Sequence, residues 1–233
     1  AEFDVALTPG TERDQLDAWY ATGQARRLDM LVSFQAFGRG APSAGAYRAG
    51  LAAFRARYPR VLEWAPMNEA NYRTQPTARN PRLAARYSSI ARSVCPPCTL
   101  VQGTILTVGN DVGYARALYR ALPAAEQRRM IWGLHAYGGS NRGNSQRIVR
   151  FLRNVPEGRI WMTEAAAWAQ FASPKWPFNL QRQAIATATV FRQALAGWPR
   201  ITRLYWYEWS GSDDRRARWD SGLVGPTGVA RPA

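Results

Sequence analysis

Two glutamates draw attention because each closes a short apolar run. The first is Glu69, in Leu62-Glu63-Trp64-Ala65-Pro66-Met67-Asn68-Glu69-Ala70-Asn71, where a strand-like run ends in Asn-Glu and a long polar loop begins. The second is Glu164, the last residue of Arg159-Ile160-Trp161-Met162-Thr163-Glu164. Two carboxyl groups are the equipment needed to cleave a glycosidic bond: one protonates the departing oxygen, and the other attacks the sugar or activates water. Their protonation states must then differ, so their surroundings must differ. Asn68 is placed to hydrogen-bond the 2-hydroxyl of a bound sugar, a contact that strengthens in the transition state. Glu63 and Glu208 are rival carboxylates. Glu63 sits in mid-strand, and Glu208, near the tip of a later strand, is a candidate to line a cleft.

Such side chains need a scaffold that gathers strand ends on one rim. Seven short apolar runs bounded by turn residues read as buried strands: Phe3–Thr8, Asp29–Phe34, Leu62–Met67, Thr99–Ile105, Met130–Tyr137, Arg159–Glu164 and Thr202–Trp209. Between them lie segments of helical period: Glu12–Leu28 after the N-cap candidate Thr11, Ser43–Tyr58 before Pro59, Pro81–Val94 with proline in its first turn, then Val112–Leu122, Ser145–Asn154 and Asn179–Trp198. Strict alternation predicts an α/β fold, a parallel sheet covered by helices. Ligands in such folds bind at the carboxyl ends of the strands, which puts Glu69 and Glu164 on one functional rim. No linker or composition break divides the 233 residues, so residues 1–233 read as one domain. A (β/α)8 barrel usually takes about 250 residues and eight strands. Seven strands fit either an open doubly wound sheet or a barrel short of one strand.

The ordered set of motifs decides between these. A strand ending in Asn-Glu, followed later by one ending in Trp-x-Thr-Glu, resembles clan A of the glycoside hydrolases, retaining enzymes built on the TIM barrel. In that clan the acid/base glutamate follows asparagine at the end of strand four and the nucleophile ends strand seven. The matching positions here are Glu69, with Asn68, and Glu164. Two runs lie between them and one follows, as strands five, six and eight would. The resemblance implies that the first barrel strand is absent from the chain, leaving a gap, or a partner filling it, between Phe3–Thr8 and Thr202–Trp209. It also implies site roles for His135 and Tyr137, since clan members place such residues beside the nucleophile. Tyr205-Trp206-Tyr207-Glu208-Trp209 resembles the aromatic platform under the scissile sugar, with Trp206 and Trp209 as candidate stacking residues. Asn71 joins the substrate-binding candidates from the loop after Glu69. The chain departs from the pattern in having Ala70 where the clan has proline, and in lacking an arginine at the tips of its first two strands.

The expected activity is hydrolysis of a β-linked polysaccharide or oligosaccharide by double displacement, with carboxyl groups about 5–5.5 Å apart. The long loops 70–80, 138–144 and 165–178 suggest an open groove and an endo-acting enzyme. A non-catalytic carbohydrate-binding barrel is the alternative, and a basic adhesion protein is a more remote one. No cofactor or metal is expected: the chain has one histidine and two cysteines, too few for a zinc or iron–sulfur site. Cys95 and Cys98, in a lone CPPC before the fifth barrel strand, read as a structural disulfide or a pair of structural thiols. The formal charge of +15 comes from 31 basic against 16 acidic residues, with Lys175 the sole lysine. Those cations are dispersed over helical segments rather than gathered in one stripe. That argues against specific nucleic-acid binding and keeps an anionic polysaccharide open as substrate. No apolar stretch is long enough to span a membrane. A monomer is expected. The Asn141-Arg142 loop, the C-x-x-C and Gly222-Leu223-Val224-Gly225-Pro226 resemble secreted actinobacterial members of the clan, which implies an extracellular location.

Overall fold

The computed structural model describes residues 11–36, 40–143, 145–172, 174–195, 198–212 and 214–232. The elements follow in the order α1 (Thr11–Ala25), β1 (Leu31–Ser33), α2 (Ala44–Arg57), β2 (Glu63–Ala65), α3 (Pro81–Val94), β3 (Thr99–Leu100), β4 (Gln102–Leu106), α4 (Asp111–Ala121), α5 (Ala124–Arg128), β5 (Ile131–His135), α6 (Tyr137–Asn141), α7 (Gln146–Asn154), β6 (Arg159–Ala165), β7 (Gln170–Phe171), α8 (Leu180–Leu195), β8 (Ile201–Trp206) and β9 (Trp219–Asp220). Six of the seven expected strands are present. The seventh, Phe3–Thr8, lies outside the described residues. Thr99–Ile105 is broken at Val101 into β3 and β4, and Tyr137 opens α6 rather than ending β5.

The chain falls into two compact units, one comprising the described parts of Ala1–Leu106 and Gly113–Gly133, the other Thr107–Val112 and Leu134–Ala233. In the first unit β1, β2 and β3 form a parallel sheet in that order, with Val32 opposite Trp64 and Trp64 opposite Leu100. The helices that cover it are defined at their ends by their own sequence. Ser43 Oγ accepts the Ala46 N–H at 3.1 Å to start α2. Asn80 Oδ1 accepts the Leu83 N–H at 3.1 Å to start α3, and Pro81 takes the first-turn position where no N–H is needed. The apolar face of α2, Tyr47, Leu51 and Phe54, is fully buried. Phe54 meets Phe34 and Trp64 edge-on at ring separations of 5.1 and 5.9 Å, a geometry worth about 0.5–1.5 kcal/mol per pair beyond the burial itself. Cys95 and Cys98 form a disulfide just after α3.

In the second unit β6 pairs parallel with β8, Met162 opposite Leu204 and Ala165 opposite Trp206, with register shifts on either side of the Trp161/Arg203 and Met162/Leu204 pairs. The end of β5 lies on the other side of β6, its following residue Ala136 donating to the Glu164 carbonyl at 3.1 Å. After β6 the chain forms β7, which pairs antiparallel with β9 from the far end of the sequence, Phe171 opposite Trp219. A buried ion pair ties the chain's last described residues to this strand pair. Arg231 Nη1 and Nη2 donate to the two Asp220 oxygens at 2.6 and 2.9 Å, and both side chains are almost wholly buried. Gly211 lets the guanidinium pass, since a Cβ there would come within 2.2–2.5 Å of it.

Candidate active site

In the first unit Glu69 stands four residues beyond β2, with φ +42°, a left-handed conformation that costs a non-glycine residue about 1–3 kcal/mol. The cost is met by contacts with β4. The Glu69 N–H donates to Thr104 Oγ1 at 2.8 Å, and the Ala70 N–H donates to the Gly103 carbonyl at 3.1 Å. Thr104 is itself left-handed at φ +33°, after Gly103 at φ +80°. Its hydroxyl donates in turn to the Met67 carbonyl at 2.8 Å. One hydroxyl therefore grips both ends of the turn that presents Glu69. Nothing in the sequence singled out Thr104, because a threonine inside a strand reads as ordinary β-former.

The neighbours of Glu69 are held just as closely. The Asn68 N–H donates to the Phe34 carbonyl at 2.6 Å. Its Oδ1 accepts from Ser33 Oγ at 3.0 Å, and its Nδ2 donates to Gln35 Oε1 at 3.3 Å, so the tip of β1 fixes the amide. Asn71 is buried and pairs with the Leu106 backbone in both directions: Nδ2 donates to the carbonyl at 2.8 Å and Oδ1 accepts the N–H at 2.9 Å. The structure thus places Asn71 as a brace between the loop and the tip of β4.

In the second unit Glu164 lies at the carboxyl end of β6, about a quarter exposed. Tyr137 Oη donates to its Oε2, and His135 Nδ1 lies 3.2 Å from the same oxygen. His135 is 1% exposed. Its carbonyl accepts from both the N–H and the hydroxyl of Thr107, each at 3.2 Å. The Tyr137 hydroxyl bonds that oxygen and the His135 imidazole lies against it, which orients the carboxylate, and Oε1 accepts no hydrogen bond among the described residues.

Beside Glu164 aromatic side chains pack edge-on against one another. Tyr137 meets Trp219 edge-on at 4.9 Å, and Trp219 meets Tyr207 at 5.8 Å. Burial, with the charges of Glu208 and Glu164 beside it, raises the Tyr207 phenol above its ordinary value, so it stays a neutral donor. Burial and, secondly, the Asp220 charge raise the Glu208 carboxyl. The backbone here converges on Ser221. Its hydroxyl accepts from the Glu208 N–H at 3.0 Å and from Trp219 Nε1 at 2.7 Å, and donates to the Tyr207 carbonyl.

The two tryptophans expected to stack on sugar part company. Trp206, the last residue of β8, lies against α8, stacked on Phe191 at 5.8 Å and 7°, with Nε1 donating to the Ser221 carbonyl at 2.9 Å. Its ring face and its N–H are both used within the protein. Trp209 lies beyond the strand and is 68% exposed. Trp219, which carries the contact with Tyr137, was not among the expected residues; it sits in no long apolar run, and its partner strand is 48 residues away. No helix among the described residues is long and apolar enough to cross a membrane.

No protein-family model matches the chain, and no curated protein matches it in sequence. Solved structures do match in fold. Xylanase 10B from Thermotoga maritima has a TM-score of 0.61 at 11% identity, covering 93% of this chain and 75% of its own. A GH10 endoxylanase retrieved from a sugarcane soil metagenome has 0.62 at 15% identity, covering 94% and 79%. The GH53 catalytic domain of Ignisphaera aggregans has 0.60 at 14% identity, covering 94% and 76%. The chain has the α/β fold of these (β/α)8 barrels, with parallel strands alternating with helices.

Proposed function

We propose that the chain is a retaining glycoside hydrolase of clan A that cleaves β-glycosidic bonds in a polysaccharide or oligosaccharide. The observation that carries the proposal is the setting of Glu164: a strand-end carboxylate with one oxygen held by Tyr137 and His135 and the other left to react. Glu164 attacks the anomeric carbon, the bond to the departing oxygen breaks, and Glu69 supplies that oxygen with a proton. Glu69, now a carboxylate, takes a proton from water as the water oxygen attacks the anomeric carbon and frees Glu164. The pairing of these two residues rests on their order along the barrel: Glu69 follows β2, Glu164 is the penultimate residue of β6, and the broken run β3–β4 and then β5 come between. The fold likeness to xylanases and a GH53 domain supports the same reading.

The remaining roles follow from this scheme. Asn68, held by Ser33 and Gln35, meets the sugar's 2-hydroxyl, Trp209 offers an exposed stacking face, and Asn71 and Thr104 set the Glu69 turn. The loops at the strand ends favour endo action on a long chain, and the net charge of +15 favours an acidic one. The Cys95–Cys98 disulfide fits a secreted protein. The test is hydrolysis of a panel of soluble β-glycans by the wild type and by Glu164→Gln, with the anomer of the first product read by NMR. Turnover with retained configuration, abolished in Glu164→Gln, supports the proposal. Sugar binding without turnover in the wild type refutes it in favour of a carbohydrate-binding barrel, and an inverted product refutes double displacement.

A further inference from the structure

We infer that Gln35 is a substrate-binding residue whose amide reads the 3-hydroxyl of the sugar at the cleaved bond. The substrate class is then a β-glycan in which that hydroxyl is free, as a β-1,4-linked chain offers and a β-1,3-linked chain does not. This rests on the glycosidase reading and on the place it gives Asn68, and it narrows the substrate of that site. All the residues concerned belong to the first unit. Phe34 turns one side of the chain toward α2: its ring meets Phe54 at 5.1 Å and Trp64 at 5.4 Å, and it is fully buried. The strand pairing continues past Ser33, since the Phe34 N–H donates to the Ala65 carbonyl at 3.0 Å and its carbonyl accepts from Asn68. Side chains alternate along an extended chain, so Ser33 and Gln35 share the side opposite Phe34. They meet there on one amide. Ser33 Oγ donates to Asn68 Oδ1 at 3.0 Å, and Asn68 Nδ2 donates to Gln35 Oε1 at 3.3 Å.

Bonding capacity sets Gln35 apart from the other polar side chains around Glu69. Asn71 is committed at both ends to the Leu106 backbone. Thr104 is committed to the Met67 carbonyl and the Glu69 N–H, and Ser33 gives its one proton to Asn68. A glutamine amide carries one acceptor oxygen and two N–H donors. Gln35 uses the oxygen on Asn68, while its Nε2 meets no acceptor among the described residues, although the side chain is half-buried. Those donors are held beside Asn68 and left to a ligand oxygen. Order selects which one. On a pyranose ring the 2-hydroxyl lies between the glycosidic oxygen and the 3-hydroxyl. Asn68 lies between Glu69, its neighbour in the chain, and Gln35, its neighbour through the amide. With Glu69 on the glycosidic oxygen and Asn68 on the 2-hydroxyl, Gln35 takes the 3-hydroxyl. A sugar linked through that oxygen brings another ring to the position instead of a hydroxyl.

The experiment uses 4-nitrophenyl β-cellobioside and 4-nitrophenyl β-xylobioside, each with analogues in which the ring carrying the aglycon lacks its 3-hydroxyl or its 2-hydroxyl. Binding to the Glu164→Gln protein, with and without Gln35→Ala, is read by saturation-transfer NMR titration. We expect Gln35→Ala to weaken the parent compound about 2- to 12-fold and to leave the 3-deoxy analogue unchanged. The 2-deoxy analogue should show the full loss. Gln35→Met, close in size and without the amide, should repeat the pattern, and thermal unfolding by circular dichroism establishes that both variants fold. Equal losses on the parent and the 3-deoxy analogue overturn the inference. So does a loss that disappears with the 2-deoxy analogue and persists with the 3-deoxy one, because Gln35 then acts only by positioning Asn68. No effect of either variant, or no binding of any compound, overturns it as well. Turnover by the wild type is scored separately on hydroxyethyl cellulose, β-1,4-xylan and the β-1,3-glucan laminarin. Laminarin cleaved as readily as the β-1,4-linked polymers would leave the glycosidase reading standing and refute the inference. Binding that depends on the 3-hydroxyl and on Gln35, with no turnover of any polymer, would refute the glycosidase and leave Gln35 as a sugar-reading residue.

Discussion

Replacing Arg231 by Met should be the costliest single change at the chain's C-terminal end. The substitution keeps most of the apolar stem and removes the guanidinium. Asp220 is then left fully buried without the two donors that hold it at 2.6 and 2.9 Å. Breaking a buried pair from one side costs about 3–5 kcal/mol, because the remaining charge has lost both water and partner. For a chain of this size that lowers the thermal midpoint by about 6–20 °C. The Gly222 carbonyl, the guanidinium's third partner, keeps Gln183 Nε2 at 2.9 Å, so the loss is dominated by the carboxylate. The control is Asp220→Asn with Arg231→Met, which removes the charge yet keeps an acceptor for the Gly222 N–H. Urea unfolding followed by circular dichroism should find the double variant more stable than Arg231→Met alone, as expected when a buried pair is replaced rather than broken. If the double variant is no more stable than the single one, unpaired charge is not the source of the cost and the reasoning fails.

Three further outcomes are expected. Tyr137→Phe removes a hydrogen bond to a charged oxygen, worth about 1.5–3 kcal/mol, and should lower kcat/KM about 10- to 150-fold; loss of folding stability with unchanged turnover would assign Tyr137 to packing alone. Replacing Cys95 and Cys98 by Ser reopens a short loop and should cost about 2 kcal/mol in urea unfolding, with kcat unaffected, since a loop of about four residues gains little entropy on release. Glu208 sits above the ordinary carboxylate range in the folded protein, chiefly through burial, so its charged form is disfavoured there. Its contribution to stability is therefore present below the unfolded value and lost as pH rises through the raised folded one. The stability of Glu208→Gln relative to wild type should climb between pH 4 and pH 7, and a flat difference in thermal midpoint across that range would contradict the shift.

What could be read from residues alone divides along physical lines. Helix α3 appears at Pro81–Val94 as expected, because Asn80, Pro81 and the Cys-Pro-Pro turn are local signals that no tertiary contact overrides. Glu164 at the end of its strand was legible for a similar reason, since β6 is buried almost throughout and reads as one apolar run. The direction of Trp206 was not. Alternation along β8 assumes an unbroken register, and the β6–β8 pairing shifts twice, which uncouples position parity from the face a side chain takes. The antiparallel β7–β9 pair was also hidden, because two-residue strands 48 positions apart carry no periodicity. The turn at Glu69 depends on a threonine hydroxyl 35 residues away, a contact invisible to any local pattern.

Ser221 has a consequence for how a ligand would be received. Its hydroxyl uses its single proton on the Tyr207 carbonyl and its lone pairs on the Glu208 amide and the Trp219 indole, so its bonding capacity is saturated. The segments that carry Tyr207 and Trp219 are thereby locked to one another before anything binds. A platform assembled in advance surrenders little conformational entropy on association. Its affinity is then set by fit to a standing shape rather than by the work of folding around a guest.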